Sequence, residues 1–101
     1  MSDESLTLIA HITVKPGSQD QAQQLMREVV VPTRKEAGCL QYEFQRSTTD
    51  GTQYCAYERW RSLADLEAHF KEPHLQKFIQ GMGPLGVGTI DMRKFKLLAD
   101  A

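Results

Sequence analysis

The sequence predicts an α+β fold: one sheet of four antiparallel strands, with the helices on a single face. Three observations carry that expectation. Apolar residues alternate at period two in four separate stretches, and they recur at helical spacing in two others. The order along the chain is strand, helix, strand, strand, helix, strand. With 101 residues, the chain fits one domain, 1–101, with a single modest core.

The first strand is Leu6 to Val14. Leu6, Leu8, Ala10, Ile12 and Val14 share one face, while Thr7, Ile9, His11 and Thr13 share the other. Ile9 and His11 make that second face mixed, so a second copy of the chain is the expected cover, with His11 at the interface. Lys15-Pro16-Gly17-Ser18 is a turn, and Ser18 is placed to cap the helix after it. A helical pattern runs from Gln19 to Ala37, with Ala22, Leu25, Met26, Val29 and Val30 as its apolar stripe. Pro32 is expected to kink it or end its first part, and Gly38 to cap its C-terminus.

Cys39 to Arg46 reads as the second strand, with Leu40, Tyr42 and Phe44 on one face. Asp50-Gly51 marks a hairpin, so Gln53 to Trp60 pairs antiparallel with it. Register stays open at this level. One pairing puts Glu58 and Trp60 beside Tyr42, and the other puts Tyr57 and Arg59 there. Ser62, with Asp65 three residues on, opens a short helix carrying Leu63, Leu66, His69 and Phe70. Pro73 stops that helix and suits the first turn of another, which carries His74, Leu75 and Phe78. Four glycines between Gly81 and Gly88 read as a flexible connection or lid. They do not read as a phosphate loop, because no preceding strand or Lys-Ser/Thr ending is present. Thr89 to Leu98 is the last strand, with a bulge expected near Lys94. The whole order is the split strand-helix-strand arrangement of ferredoxin-like folds.

Composition excludes several functions. A net charge of -1 without a basic stripe argues against nucleic acid as a partner. No apolar run approaches a membrane span, and the acidic start does not resemble a signal peptide, so a cytoplasmic protein is expected. Cys39 and Cys55 have no metal-type spacing and read as two free, buried thiols.

Glu58 to Phe78 concentrates chemistry. It holds the only Trp, two of the three His and two of the four Phe. His69 titrates in the range a general base needs, and the indole N–H of Trp60 is a donor able to hold an oxyanion. Both residues also have plainer readings: Trp60 as a core anchor, His69 as a solvated residue at a helix C-terminus. Tyr42, Phe70, His74 and Phe78 are candidate walls of an apolar slot. Glu58, if it faces inward, needs a hydrogen-bond partner. His69 and His74 are five apart across Pro73, with no carboxylate evident between them, so no metal site is expected.

Val14-Lys15-Pro16-Gly17, Glu36-Ala37-Gly38-Cys39-Leu40-Gln41-Tyr42-Glu43 and Glu58-Arg59-Trp60-Arg61-Ser62, with His69, His74 and Phe78 beyond, resemble motifs of the antibiotic biosynthesis monooxygenase family. The resemblance covers nearly the whole chain. It implies a ferredoxin-like homodimer, a dimeric α/β barrel, with a pocket between sheet and helices. It also implies oxidation of a quinol, anthrone or related electron-rich aromatic by dioxygen, without metal, flavin or other cofactor. Haem-degrading members carry an Asn on the first strand, whereas the nearest position here is Ala10, which sets haem chemistry aside. On this reading His69 is the base and Trp60 the positioning donor, with Tyr42, Glu58, Phe70, His74 and Phe78 around the substrate. Two other readings compete. One is an isomerase or detoxifying enzyme, favoured if Arg59, Arg61 and Lys77 form a basic pocket. The other is a non-catalytic dimeric binding protein, favoured if the pocket is filled.

Overall fold

A computed structural model describes residues 5–98. In order, the elements are β1 (Leu6–Thr13), α1 (Gln19–Thr33), β2 (Cys39–Arg46), β3 (Gln53–Trp60), α2 (Leu63–Phe70), α3 (Pro73–Met82), a 3-10 turn (Gly83–Leu85) and β4 (Asp91–Phe95). The sheet order is β2-β3-β1-β4, and every neighbouring pair is antiparallel. This is the expected ferredoxin-like α+β architecture.

Alternation decides which face meets the helices. Leu6, Leu8, Ala10 and Ile12 of β1 and Tyr54, Ala56, Glu58 and Trp60 of β3 are all buried. Ala22, Met26 and Val29 of α1, Leu66 of α2, and Leu75, Phe78 and Met82 of α3 close over them. The sheet's other face carries Thr7, Ile9 and His11 paired with Arg59, Tyr57 and Cys55, and no element among the described residues covers it. β4 is exposed along its whole length. Among the described residues no helix is long and apolar enough to cross a membrane.

The register left open by the sequence resolves as Tyr42 opposite Glu58 and Phe44 opposite Ala56. Glu58 and Trp60 therefore face the helices, and Arg59 points to the far side. A bulge lies between Cys39 and Gln41. It shifts the phase of β2, so Cys39 pairs with Trp60 and packs on the core while Leu40 is half exposed. The expectation that Leu40 shares a face with Tyr42 fails for that reason. Both cysteines are free and partly buried.

Other boundaries also move. α1 ends at Thr33, one residue past Pro32, and does not reach Ala37. The chain then winds through tight turns, Glu36 N–H to the Thr33 carbonyl and Cys39 N–H to the Glu36 carbonyl. Gly38 is thus no helix cap. It is buried, its carbonyl accepts from Arg61 N–H, and a Cβ there would collide with the Asp65 side chain. Ser18 holds the N-cap position of α1 without a side-chain cap bond, whereas Ser62 Oγ accepts from Asp65 N–H as expected. The glycine-rich stretch is not a free lid. Leu85 and Met82 are buried in the core, Lys15 N–H donates to the Leu85 carbonyl, and Val87 N–H donates to the Thr13 carbonyl. β4 is shorter than Thr89 to Leu98, and Lys94 pairs regularly with Leu8, so no bulge forms there.

Candidate functional site

The site grows from the inner end of the β2–β3 pair. Trp60, last residue of β3, is fully buried. Its indole ring lies 4.6 Å from the His69 imidazole, centroid to centroid, at 34°. Tyr42 meets His69 edge-on at 5.3 Å, and Phe70 follows at 5.8 Å. From Tyr42 the rings continue to Phe44 at 5.6 Å and on to Phe78 at 5.5 Å. Of the sequence-derived site residues, the structure brings Trp60, Tyr42, Glu58, His69, Phe70 and His74 together. Phe78 stands two rings away.

His69 sits in the last turn of α2 but is not the solvated histidine a helix end commonly carries. Its side chain is 1% exposed. Nδ1 is 2.8 Å from Glu36 Oε2, and His74 Nε2 is 2.7 Å from the same oxygen. An ionised carboxylate only accepts, so each imidazole donates a proton to it. That fixes the His69 tautomer with its proton on Nδ1. Among the described residues, Nε2 has no hydrogen-bond partner and is left as a lone-pair base. Burial pushes the His69 pKa down, with Glu36 opposing. The ring is therefore neutral at pH 7.

Glu36 is the member of this cluster that sequence reasoning missed. It lies 33 residues from His69 in sequence, in the turn after α1, where an acid reads as surface. Its place inside the quoted Glu36–Glu43 motif was the available signal. The expectation that no carboxylate joins the two histidines is overturned by this residue.

Trp60 needs a correction of role. Its single N–H donates to Glu58 Oε1 at 2.9 Å, so it is not free to hold an oxyanion. It instead supplies the partner Glu58 requires. Burial drives the Glu58 carboxyl up to about 7, against that hydrogen bond. Burial also holds the Tyr42 phenol far above its ordinary range, with Glu58 and Glu36 adding to the effect, so it stays a neutral donor. Arg59 is on the sheet's far face, Arg61 is held by Asp65 at 2.9 Å and Lys77 is exposed, so these three do not form a basic pocket at His69. An apolar cavity of about 180 Å³ lies beyond Phe78, bounded by Ile12, Ile79, Met82, Val87 and Ile90.

Comparison with known proteins adds independent information. A family model described as antibiotic biosynthesis monooxygenase matches residues 5–81. A Synechocystis protein of uncharacterised function is 26% identical over 96 residues, which is 95% of this chain. The chain spans 65% of that relative's length. An Escherichia coli protein named probable quinol monooxygenase YgiN is 32% identical over 88 residues, 76% of this chain and 84% of its own. A crystal structure of a Pseudomonas aeruginosa protein superposes with a TM-score of 0.88 at 35% identity, covering 95% of this chain and 96% of that one.

Proposed function

The chain belongs to the antibiotic biosynthesis monooxygenase family, and from that premise we propose that it is a cofactor-independent monooxygenase acting on a quinol, anthrone or related electron-rich aromatic. One observation supports this reading above the rest: Glu36 holds His69 Nδ1–H and leaves Nε2 as an unpartnered base in an aromatic setting. The name of the Escherichia coli relative points the same way.

The chemistry asks little more of the protein. His69 Nε2 takes a proton from the activated CH₂ of an anthrone, or from the hydroxyl of a quinol. For the anthrone, the resulting carbanion gives one electron to dioxygen, and the two radicals couple to a carbon-bound peroxide. The peroxide O–O bond breaks as the second hydrogen leaves carbon. One oxygen stays as the new carbonyl and the other departs as water, with the His69 proton completing it. Glu36 stabilises the imidazolium that forms in between. We assign Tyr42, Phe70 and Phe78 as walls for the flat substrate, with His74 and Glu58 at the margin. His69 is 1% exposed, so the substrate reaches Nε2 only as these rings part.

That same closed packing favours a second reading, a non-catalytic binding protein whose pocket is filled by its own side chains. Dioxygen uptake by chelator-treated protein across a panel of quinols and anthrones separates the two. Uptake well above autoxidation is expected, and a flat trace across the panel would leave the binding reading standing.

We also infer a homodimer. The bare sheet face bearing Ile9, Tyr57 and Phe95 and the exposed β4 support it, and His11 then falls in the interface. Light scattering at micromolar concentration should return twice the chain mass of 11.5 kDa; a monomer mass would end the idea.

A further inference from the structure

The cluster that holds the base has a second chemical capacity. Glu36, His69 and His74 each offer one ligand atom within 4.8 Å of the other two, and Glu36 Oε2 touches both His69 Nδ1 and His74 Nε2. They come from three separate places: the turn after α1, the last turn of α2 and the first turn of α3. One carboxylate and two imidazoles make the mixed oxygen and nitrogen donor set that zinc and its late first-row neighbours take. We propose that these three atoms form a binding site for a divalent transition cation, zinc or cobalt in type, and that loading it silences His69 as a base.

The distances are those of a site holding protons in place of a cation. Metal bonds of about 2.0–2.2 Å put neighbouring ligand atoms roughly 2.9–3.4 Å apart. Oε2 is 2.8 Å from Nδ1 and 2.7 Å from Nε2, so these two spacings need open by only a few tenths of an ångström. The remaining imidazole pair closes by a turn of the His74 ring. Of the two rings it is the one nearer solvent, 20% exposed where His69 is 1%. The same exposure gives the cation its way in and leaves water to complete the coordination. A second carboxylate stands behind the site, with Glu72 Oε2 3.9 Å from His74 Nδ1. A carboxylate behind the non-ligating nitrogen is the usual way a metal-bound imidazole is oriented.

The consequence for His69 is a matter of proton count. In the metal-free protein Nδ1 carries the proton and Nε2 the lone pair. A cation on Nδ1 occupies that nitrogen's lone pair, so the proton must move to Nε2. The ring stays neutral and no proton is lost, but the atom that accepted a proton now donates one. Metal binding does not rest on the catalytic reading; only its effect on turnover does.

The test is a cobalt(II) titration of the chelator-treated full chain at pH 7.5 in a non-coordinating buffer, followed by visible absorption. Ligand-field bands should saturate at one cobalt per chain and disappear on zinc addition. His74→Ala and Glu36→Gln, each checked by circular dichroism for retained fold, should weaken binding by roughly 10–100-fold or more. His11→Ala, on the far sheet face away from the three ligands, should leave cobalt binding unchanged. Absent bands, bands indifferent to His74→Ala and Glu36→Gln, or bands lost with His11→Ala would each overturn the site. The proton shift is read separately by ¹⁵N NMR of the zinc-loaded protein. His69 should show its proton on Nε2, and a proton still on Nδ1 would overturn the silencing. Both readouts stand even if the protein oxidises nothing in the panel.

Discussion

His69→Gln should lower kcat/KM on any substrate the protein oxidises by about 10²–10⁴-fold, the range general-base catalysis contributes. Glutamine is close in size to histidine, and its amide still donates to Glu36, so the packing of Trp60 and Tyr42 around it is largely kept. It offers no titrating lone pair in place of Nε2. Glu36→Gln is the informative companion. The neutral amide still accepts the Nδ1 proton but stabilises the imidazolium poorly, and a loss of roughly 10² is expected. A pH profile separates this from a structural defect. Burial lowers the His69 pKa while Glu36 raises it. The acid limb of kcat/KM in the native protein should therefore lie below the ordinary histidine range, and in Glu36→Gln it should move lower still. Unchanged rates in His69→Gln would remove the residue from the chemistry. An unmoved limb in Glu36→Gln would show that Glu36 does not act through His69.

Glu58→Gln should stabilise the fold at alkaline pH. The Glu58 carboxyl rises from 4.5 to about 7 on burial. Between those values the folded chain keeps a proton that the unfolded chain has lost, so stability falls as pH rises. The group's contribution is complete below pH 4.5 and gone above pH 7, and the difference is about 3 kcal/mol. Glutamine accepts the same Trp60 N–H without a charge to bury. His69 acts in the opposite sense: its depressed pKa costs stability as pH falls below 6.5, but it does so in both proteins and cancels. Urea unfolding at pH 5 and pH 8 checks this. The variant should gain on the native protein at pH 8 and nearly match it at pH 5, whereas an equal difference at both would mean Glu58 titrates normally in the fold.

The fold was legible because strands declare themselves locally. Alternation in Leu6–Thr13 and Gln53–Trp60, and the Ser62 and Pro73 signals, are properties of a few consecutive residues. The register of β2 against β3 was not, since one residue of loop or bulge flips every side chain, and the bulge after Cys39 did so for Leu40. Gly38 misled for a related reason. The tight approach of Asp65, made by a helix far along the chain, explains that glycine better than a cap does. At the site, the sequence gathered His69, Trp60 and His74 because they are neighbours in one segment. It could not show that Glu36 would fold back between the two histidines, nor that Glu58 would take the one proton Trp60 has to give. Those are long-range contacts and face assignments, which only the packed sheet determines.

The measurement closest to the central claim is dioxygen consumption by chelator-treated protein with an anthrone at pH 7.5, native chain against His69→Gln. Uptake well above autoxidation is expected in the native chain, with near-background uptake in the variant. Equal uptake in the two would contradict that claim, because oxidation would then proceed without the base that Glu36 holds in place.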